Sequence, residues 1–498
     1  MLTERNIAHK SFLIWLRQDM ENRMLVKFSM LLVIAQFILF KTLYPYPNFM
    51  PPDSISYIVA ALDNQSINMW AIGYSKFLRL VSSFTSSHFA LISFQYILLQ
   101  AAVLYFLFTI KYLVFIGKWT FRIIIGCSVL NPLLPHVSNL VSSDALFAGL
   151  SLIWFTQLLT ILYLPTRRLL LFHSLTLLLA FIVRYNALFY PLISISVILL
   201  APLCVRGKLV NIGLIVLLLG GFIWHTKYHY YTETGTNQYS AFGGWQIAAN
   251  ALYGYAHAIP DAPEMVPLKF RPLHVLVNRH MDSIRDLVVR PDREVAIYYL
   301  WDEQSPLVTY LHSQTAADSS LPYFERWAKV APLYAEYGWY LILKHPFGFM
   351  RYYLWPNLIK YYVPPAKFLS VYNLRMETVD PIVVRWFELK SNKVSTYYKD
   401  KRILVTEYCS IFWALANIFV VLGFAAFIYL SGFCKSVFSG KGFLWLFLVV
   451  WMSNLFFGVI AAPIELRYQL FPMIITIVFV ILIIQYIAKI SLSVSKEE

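Results

Sequence analysis

About ten stretches of this chain are apolar for close to the 20 residues that a helix needs to cross the hydrocarbon core of a bilayer. They lie at 25–44, 88–108, 121–140, 145–163, 169–183, 188–205, 209–224, 408–430, 442–461 and 470–490. Nothing in the sequence constrains the fold more tightly. In hydrocarbon every backbone N–H and C=O must find its partner inside the protein, and a helix does this segment by segment. The expectation is an all-α polytopic membrane protein with about ten transmembrane helices. Only 13% of the residues are charged and 59% are hydrophobic, against about 25% charged in a soluble chain. The fifth stretch is short, and the third contains Pro132 and Pro135.

A net charge of +15 raises nucleic acid as a partner. The basic residues argue otherwise, because many sit in short connections between apolar runs, where they set topology. Lys111 and Lys118, Arg167 and Arg168, Arg206 and Lys208, and Lys435 and Lys441 fall in alternate loops, and Arg17, Arg23 and Lys27 precede or open the first run. All fall on one face, which the positive-inside rule makes cytoplasmic, with both termini there and Lys496 in agreement. No nucleic acid is expected as a partner. Cys127, Cys204, Cys409 and Cys434 have neither the spacing of a zinc site nor the pattern of a disulfide framework. Arg17 and Asp19 interrupt residues 11–20, so the N-terminal segment does not read as a cleaved signal; 8–23 reads as an amphipathic surface helix.

This topology leaves two longer segments on the outer side. The first, 45–87, contains two stretches with helical apolar spacing, 54–62 and 69–81, too polar to span and expected along the interface. The second, 227–406, mixes Trp and Tyr with charges and prolines and reads as a folded outer region rather than a linker. Within it 339–362 is strongly aromatic and broken by Lys344, His345, Pro346 and Arg351, as in a re-entrant or interfacial helix. The chain therefore divides into an N-terminal transmembrane module (1–226) with a large first outer loop, an outer region (227–406) and C-terminal transmembrane helices (407–498).

The carboxylates at connections between spans all fall on the outer side: Asp53 after the first span, Asp144 before the fourth, and Glu465 before the last. Arg184-Tyr185-Asn186 and Glu465-Leu466-Arg467-Tyr468 join them, and Lys344-His345 lies in the outer region. Each has an ordinary explanation. Asp53 and Asp144 begin apolar runs as helix caps do, Arg184 has the stem to snorkel to headgroups, and Glu465 and Arg467 are close enough to pair with each other. Taken together they suit a different job. Carboxylates at an outer cavity serve as general bases, arginines and a lysine hold phosphate, and aromatic side chains suit sugar rings and lipid interfaces.

In order and sidedness the set resembles the GT-C superfamily of integral-membrane glycosyltransferases, which includes the protein O-mannosyltransferases and the aminoarabinose transferase of lipid A. The likeness rests on Pro52-Asp53-Ser54-Ile55-Ser56-Tyr57, Ser143-Asp144-Ala145-Leu146-Phe147, Arg184-Tyr185-Asn186 running to Pro191, His345-Pro346, and Glu465-Leu466-Arg467-Tyr468 with Pro472. It implies inverting transfer of a sugar from a polyprenyl-phosphate donor to a protein, lipid or glycan acceptor. Asp53 would be the acceptor-activating base and Asp144 its assistant. Arg184, Arg467 and Lys344 would hold the lipid phosphate, and Tyr57, Tyr185, Glu465 and His345 would contact sugar or acceptor. Family members often carry Asp-Glu in the first outer loop, where this chain has Asp53-Ser54; a divalent cation on Asp53 and Asp144 is the open cofactor question. The location implied is a bacterial inner membrane with a periplasmic site. An endoplasmic-reticulum membrane has the same topology and would make the Asn64-Gln65-Ser66 triplet a glycosylation acceptor. A polymerase or ligase of lipid-linked glycans, a lipid or solute transporter and a non-catalytic scaffold are the rival readings.

Overall fold

The computed structural model describes residues 11–114, 116–294, 297–315, 321–397, 401–431 and 442–494. Cys434, Lys435, Lys441 and Lys496 lie outside the described residues, as does the start of the surface helix expected at 8–23. Among the described residues the only extended pairings are two isolated bridges, and the regular structure is helical.

The N-terminal half runs α1 (Phe12–Gln18), α2 (Met20–Leu43), α3 (Asp53–Leu62), α4 (Gly73–Ser82), α5 (His88–Leu113), α6 (Lys118–Val129), α7 (Leu133–Ser138), α8 (Asp144–Tyr163), α9 (Arg167–Val183), α10 (Tyr190–Leu200) and α11 (Val205–Thr234). Then come α12 (Ala241–Tyr255), α13 (Arg271–Arg285), α14 (Pro291–Glu294), α15 (Tyr298–Trp301), α16 (Pro306–Thr315), α17 (Tyr323–Lys344), α18 (Pro346–Phe349), α19 (Trp355–Tyr362) and α20 (Pro381–Trp386). The chain closes with α21 (Leu404–Ser431), α22 (Gly442–Ala461) and α23 (Leu470–Val494).

Eight segments of the described chain are long and apolar enough to cross a membrane, where the sequence led us to expect about ten. The two others are α9, with 17 residues, and α10, with 11. The chain itself shortens α10. Pro191 in its first turn fixes its start, and Pro202 holds Ala201 in extended conformation and ends it. The expected run at 121–140 is in two pieces, α6 and α7, separated at Asn131-Pro132. The N-terminal surface helix is likewise interrupted. Asp19 accepts hydrogen bonds from the backbone N–H groups of Glu21 and Asn22, caps α2 and moves its start back to Met20. Lys111, read as a loop charge, is buried in the last turn of α5, with its Nζ 2.8 Å from Asn22 Oδ1.

Two separate cores result. The larger one joins the long helices, with α5 packed on α8 and α21 on α23, and also takes in side chains of the stretch 354–389. The smaller is built mainly from 241–342, where α12 runs along α17, with Ile67 and Tyr230 added from outside that stretch. The stretch 227–406 is thus not one unit: α11 continues the long helix through Thr234, and α19 and α20 belong to the larger core. The aromatic stretch 339–362 is the end of α17, the single turn α18, a π-helical turn at Met350–Leu354 and α19.

The α12–α17 contact depends on glycine. A Cβ at Gly244 would stand 2.1 Å from the Ala331 carbonyl oxygen, and one at Gly338 would stand 2.8 Å from the Ala248 nitrogen. Around this approach the Trp245 and Trp327 rings stack at 5.2 Å, and Trp245 Nε1 donates to the Trp327 carbonyl at 2.9 Å. Backbone cannot yield as a side chain does, so Gly244→Val is expected to cost about 3 kcal/mol or more, the upper end for overpacking. Gly243→Ala, at a position with space, is expected to leave stability unchanged or raised by a few tenths of a kcal/mol. Thermal unfolding in detergent, followed by tryptophan fluorescence, checks both.

Candidate functional site

Asp53 and Asp144 are brought together by backbone geometry before any charge is considered. The strand-like residues before α3 and α8 pair side by side: Asn48 N–H donates to the Asn139 carbonyl at 2.8 Å, and Val141 N–H donates to the Asn48 carbonyl at 3.1 Å. Ser54 completes the tie. Its fully buried hydroxyl donates to the Val141 carbonyl at 2.8 Å and accepts from the Met50 N–H at 2.9 Å. The residue that stands where a second acid was looked for is therefore a structural clasp. Both aspartates open helices, yet neither side chain caps its own helix; the capping explanation does not hold for either.

The third strand of the site comes from the far end of the chain. Asn357, on α19, donates to the Val459 and Ala462 carbonyls, both at 2.8 Å, and accepts from the Ile464 N–H at 3.0 Å. This clamps the end of α22 and delivers Glu465 and Arg467. Arg467 then reaches across: Nη1 donates to Asp53 Oδ2 at 3.1 Å and to Asp144 Oδ2 at 3.2 Å, Nε to Glu465 Oε2 at 2.9 Å, and Nη2 to the Tyr468 hydroxyl at 2.7 Å. Arg184, just past the end of α9, pairs with the other oxygen of Asp144 and lies over the Tyr468 ring. Ser142 Oγ donates to Asp144 Oδ2 at 2.6 Å, and Lys367 Nζ stands 3.4 Å from Glu465 Oε1. Three carboxylates thus meet three cations.

The cluster forms part of the wall of a cavity of about 560 Å³ between the two cores. Of the three carboxylates Asp53 faces it most, with 20% of its side chain exposed against 1% for Asp144 and 6% for Glu465. Tyr57, whose hydroxyl is 3.1 Å from Ser143 Oγ, and Tyr185 line it as well. Across from them α12 contributes Gln246 and Asn250, and Trp70, Trp301 and Trp339 supply flat apolar surface. Burial pushes the Asp53 carboxyl above the ordinary carboxylate range. Arg467 partly offsets this, and the neighbouring Asp144 and Glu465 reinforce it. Burial likewise raises the Tyr57 phenol, which stays neutral.

Of the nine candidates from the sequence, the structure unites Asp53, Asp144, Arg184, Glu465 and Arg467, with Tyr57 and Tyr185 on the same cavity. Lys344 and His345 are elsewhere. They close the end of α17 over Asp261, with Nζ at 3.1 Å from Oδ1 and the His345 Nε2 at 2.8 Å from Oδ2. The reading of Lys344 as a phosphate ligand and His345 as a substrate contact gives way to that of a structural clamp. Lys367 and Asn357 were not foreseen: Lys367 lies in a stretch with no apolar run or charged motif to mark it, and Asn357 is an uncharged amide inside the aromatic stretch 339–362. Tyr468 stood within a motif but without a role.

Asp53 and Asp144 do not fit a divalent cation. Arg467 Nη1 already lies between them, at the place a shared cation would take. Among the described residues no group of three His, Cys, Asp or Glu side chains is arranged to hold a metal ion.

Comparison with family models, with curated proteins and with solved structures finds no match for this chain.

Two outcomes follow from the charges. Removing Arg467 leaves Asp53, Asp144 and Glu465 buried without their shared partner, so Arg467→Met is expected to cost about 3–5 kcal/mol. Adding Asp53→Asn, which removes the acid that Arg467 alone pairs among the described residues, should recover part of that loss, as read from thermal unfolding in detergent. At Asp261 burial acts to raise the pKa, but hydrogen bonds from His345 and Lys344 outweigh it and hold the carboxyl below its ordinary value. Its contribution to stability is therefore present above the unfolded carboxylate value of about 3.9 and lost as pH falls through the lower folded value. Stability of Asp261→Asn, measured against pH, is expected to lack this acid-side loss.

Proposed function

We propose that the cavity catalyses transfer of a sugar from a polyprenyl-phosphate donor to an acceptor hydroxyl or amine, with Asp53 as the base. The observation that carries this reading is Asp53, the most exposed of the cluster's carboxylates and one that faces the cavity, raised in pKa and backed by two guanidinium groups. A general base works best when its pKa lies toward the operating pH. Burial moves Asp53 in that direction.

In the proposed reaction the Asp53 carboxylate takes the acceptor proton as the acceptor atom bonds to the anomeric carbon of the sugar. The bond from that carbon to the phosphate oxygen breaks, and the electron pair leaves with the lipid phosphate. One accessible carboxylate supports a single displacement with inversion; a double displacement needs a second one as nucleophile. Arg184 is the better phosphate ligand. It faces the cavity with 17% of its side chain exposed. Arg467 is 7% exposed and has most of its N–H groups committed to Asp53, Asp144, Glu465 and Tyr468. Its role is to fix the orientation and charge of Asp53. Asp144 holds both guanidinium groups in place. The tryptophans and Tyr185 offer apolar faces to a sugar ring, and Gln246 offers an amide to its hydroxyls.

Reconstituted protein given a polyprenyl-phosphate sugar is expected to release free polyprenyl phosphate. Asp53→Asn should slow release by about 10²–10⁴-fold, the usual worth of a general base; undiminished release would remove Asp53 from the mechanism. Because the base form is required and its pKa is raised, activity should increase with pH through a value above about 3.9. Arg184→Gln should weaken donor use more than Lys344→Gln does. Chelation of divalent ions should leave the rate unchanged.

A further inference from the structure

We propose that a groove between α2 and α6, at the opposite membrane end from Asp53, binds an aminophospholipid of the surrounding leaflet. The inference does not depend on the transferase reading. α2 starts at Met20 and ends at Leu43, beside the loop that carries Asp53. Its 24 residues span about 36 Å, which puts its first turn at the far side of the membrane.

The groove encloses about 650 Å³ and is open along its length. Its apolar floor comes from Phe28, Leu32 and Ile125, and Gly126 leaves open space where a side chain would stand. From Glu21 to Leu32 it follows α2 for about 17 Å, close to half the roughly 30 Å of bilayer hydrocarbon. That is the depth one acyl chain occupies. The rest of the protein leaves α2 largely uncovered: 11% of its apolar window is buried within the fold.

Charge identifies the headgroup. Among the described residues three ionisable side chains line the groove, Lys118, Arg122 and Glu21, all at its mouth. Lys118 Nζ and Glu21 Oε2 are 3.8 Å apart, too far for a hydrogen bond, and Glu21 Oε1 has no hydrogen-bond partner among the described residues. The Arg122 guanidinium lies over the exposed Trp119 ring, 4.7 Å from its centre, where cations meet the headgroup layer. Two cations and one carboxylate match a headgroup with a phosphate diester and a primary ammonium. Lys118 and Arg122 take the phosphate; Glu21 takes the ammonium. An anionic headgroup without an amine would leave Glu21 facing like charge, and a choline headgroup has no N–H to give it.

The test uses the full chain in nanodiscs of equal parts phosphatidylethanolamine, phosphatidylglycerol and phosphatidylcholine, with lipids retained on release read by native mass spectrometry. Wild type should retain phosphatidylethanolamine over the other two by about tenfold, the worth of one charge-assisted hydrogen bond. Lys118→Ala with Arg122→Ala should abolish retention, and Gly126→Leu, which fills the groove without touching the headgroup residues, should do the same. Glu21→Gln should lift phosphatidylglycerol to parity. All four residues lie at positions that tolerate change, and equal thermal unfolding of the variants confirms that the fold is intact. Equal retention of the three lipids by wild type overturns the proposal, as does retention unaffected by Gly126→Leu.

Discussion

One guanidinium group holds this site together. Arg467 contacts carboxylates that lie 414 and 323 residues away in sequence, and a third two residues away. A buried cation of this kind is expensive to desolvate, and its attraction for a single carboxylate seldom repays that cost. Three carboxylates, an aromatic ring beneath and a phenol at the remaining edge change the balance. The same arithmetic runs in reverse for the acids. Three negative charges packed within a few ångströms would repel, and the cluster exists because Arg184, Arg467 and Lys367 neutralise it.

The position of the cluster follows from the division of the fold into two cores. The larger core carries Asp53, Asp144, Arg184 and Arg467, on short α3, on α8 and on the connections after α9 and α22, whereas the smaller core of α12, α13 and α15–α17 supplies the opposite wall of the cavity. Neither alone encloses the space. Asn250 joins the two directly, donating to the Ile460 and Ala461 carbonyls at 3.2 and 3.1 Å. That bond uses backbone groups freed at the end of α22, the same helix end that Asn357 secures from the other side. The terminus of one membrane helix is thus the pivot on which Glu465 and Arg467 are aimed.

Much of this was legible in the sequence because apolar run length and proline are strong local signals. The long helices are where runs of about 20 residues predicted them, and the break at Pro132 was visible as a proline. What failed was arithmetic near the limit: α9 and α10 are apolar enough but short, and composition alone does not weigh the helix-ending effect of Pro191 and Pro202. Five of the six charged residues of the site were legible for a related reason. A charge at the edge of an apolar run stands out against its surroundings, and five of them fell on one side. Lys344 and His345 show the limit of that argument. They stood out equally, but their partner Asp261 sits in a polar stretch where one more carboxylate carries no signal. Sidedness alone did not separate the two clusters, since it says nothing about distance within a face.

The roles within the cluster separate by exposure rather than by residue type. The Asp144 carboxylate has three polar contacts, from Arg184, Arg467 and Ser142, and almost none of its surface reaches the cavity. A carboxylate so engaged and so enclosed is out of reach of a substrate proton, whatever its intrinsic basicity. Among the described residues Asp53 is hydrogen-bonded by Arg467, through Oδ2, and it has a face on the cavity. Its second oxygen is the uncommitted acceptor that general-base chemistry needs. The arginines divide in the same way, with Arg467 spent on the acids and Arg184 partly open. A site in which one acid and one cation are locked while their counterparts face the cavity is preorganised. The locked pair fixes the geometry, and the open pair is left to meet whatever enters.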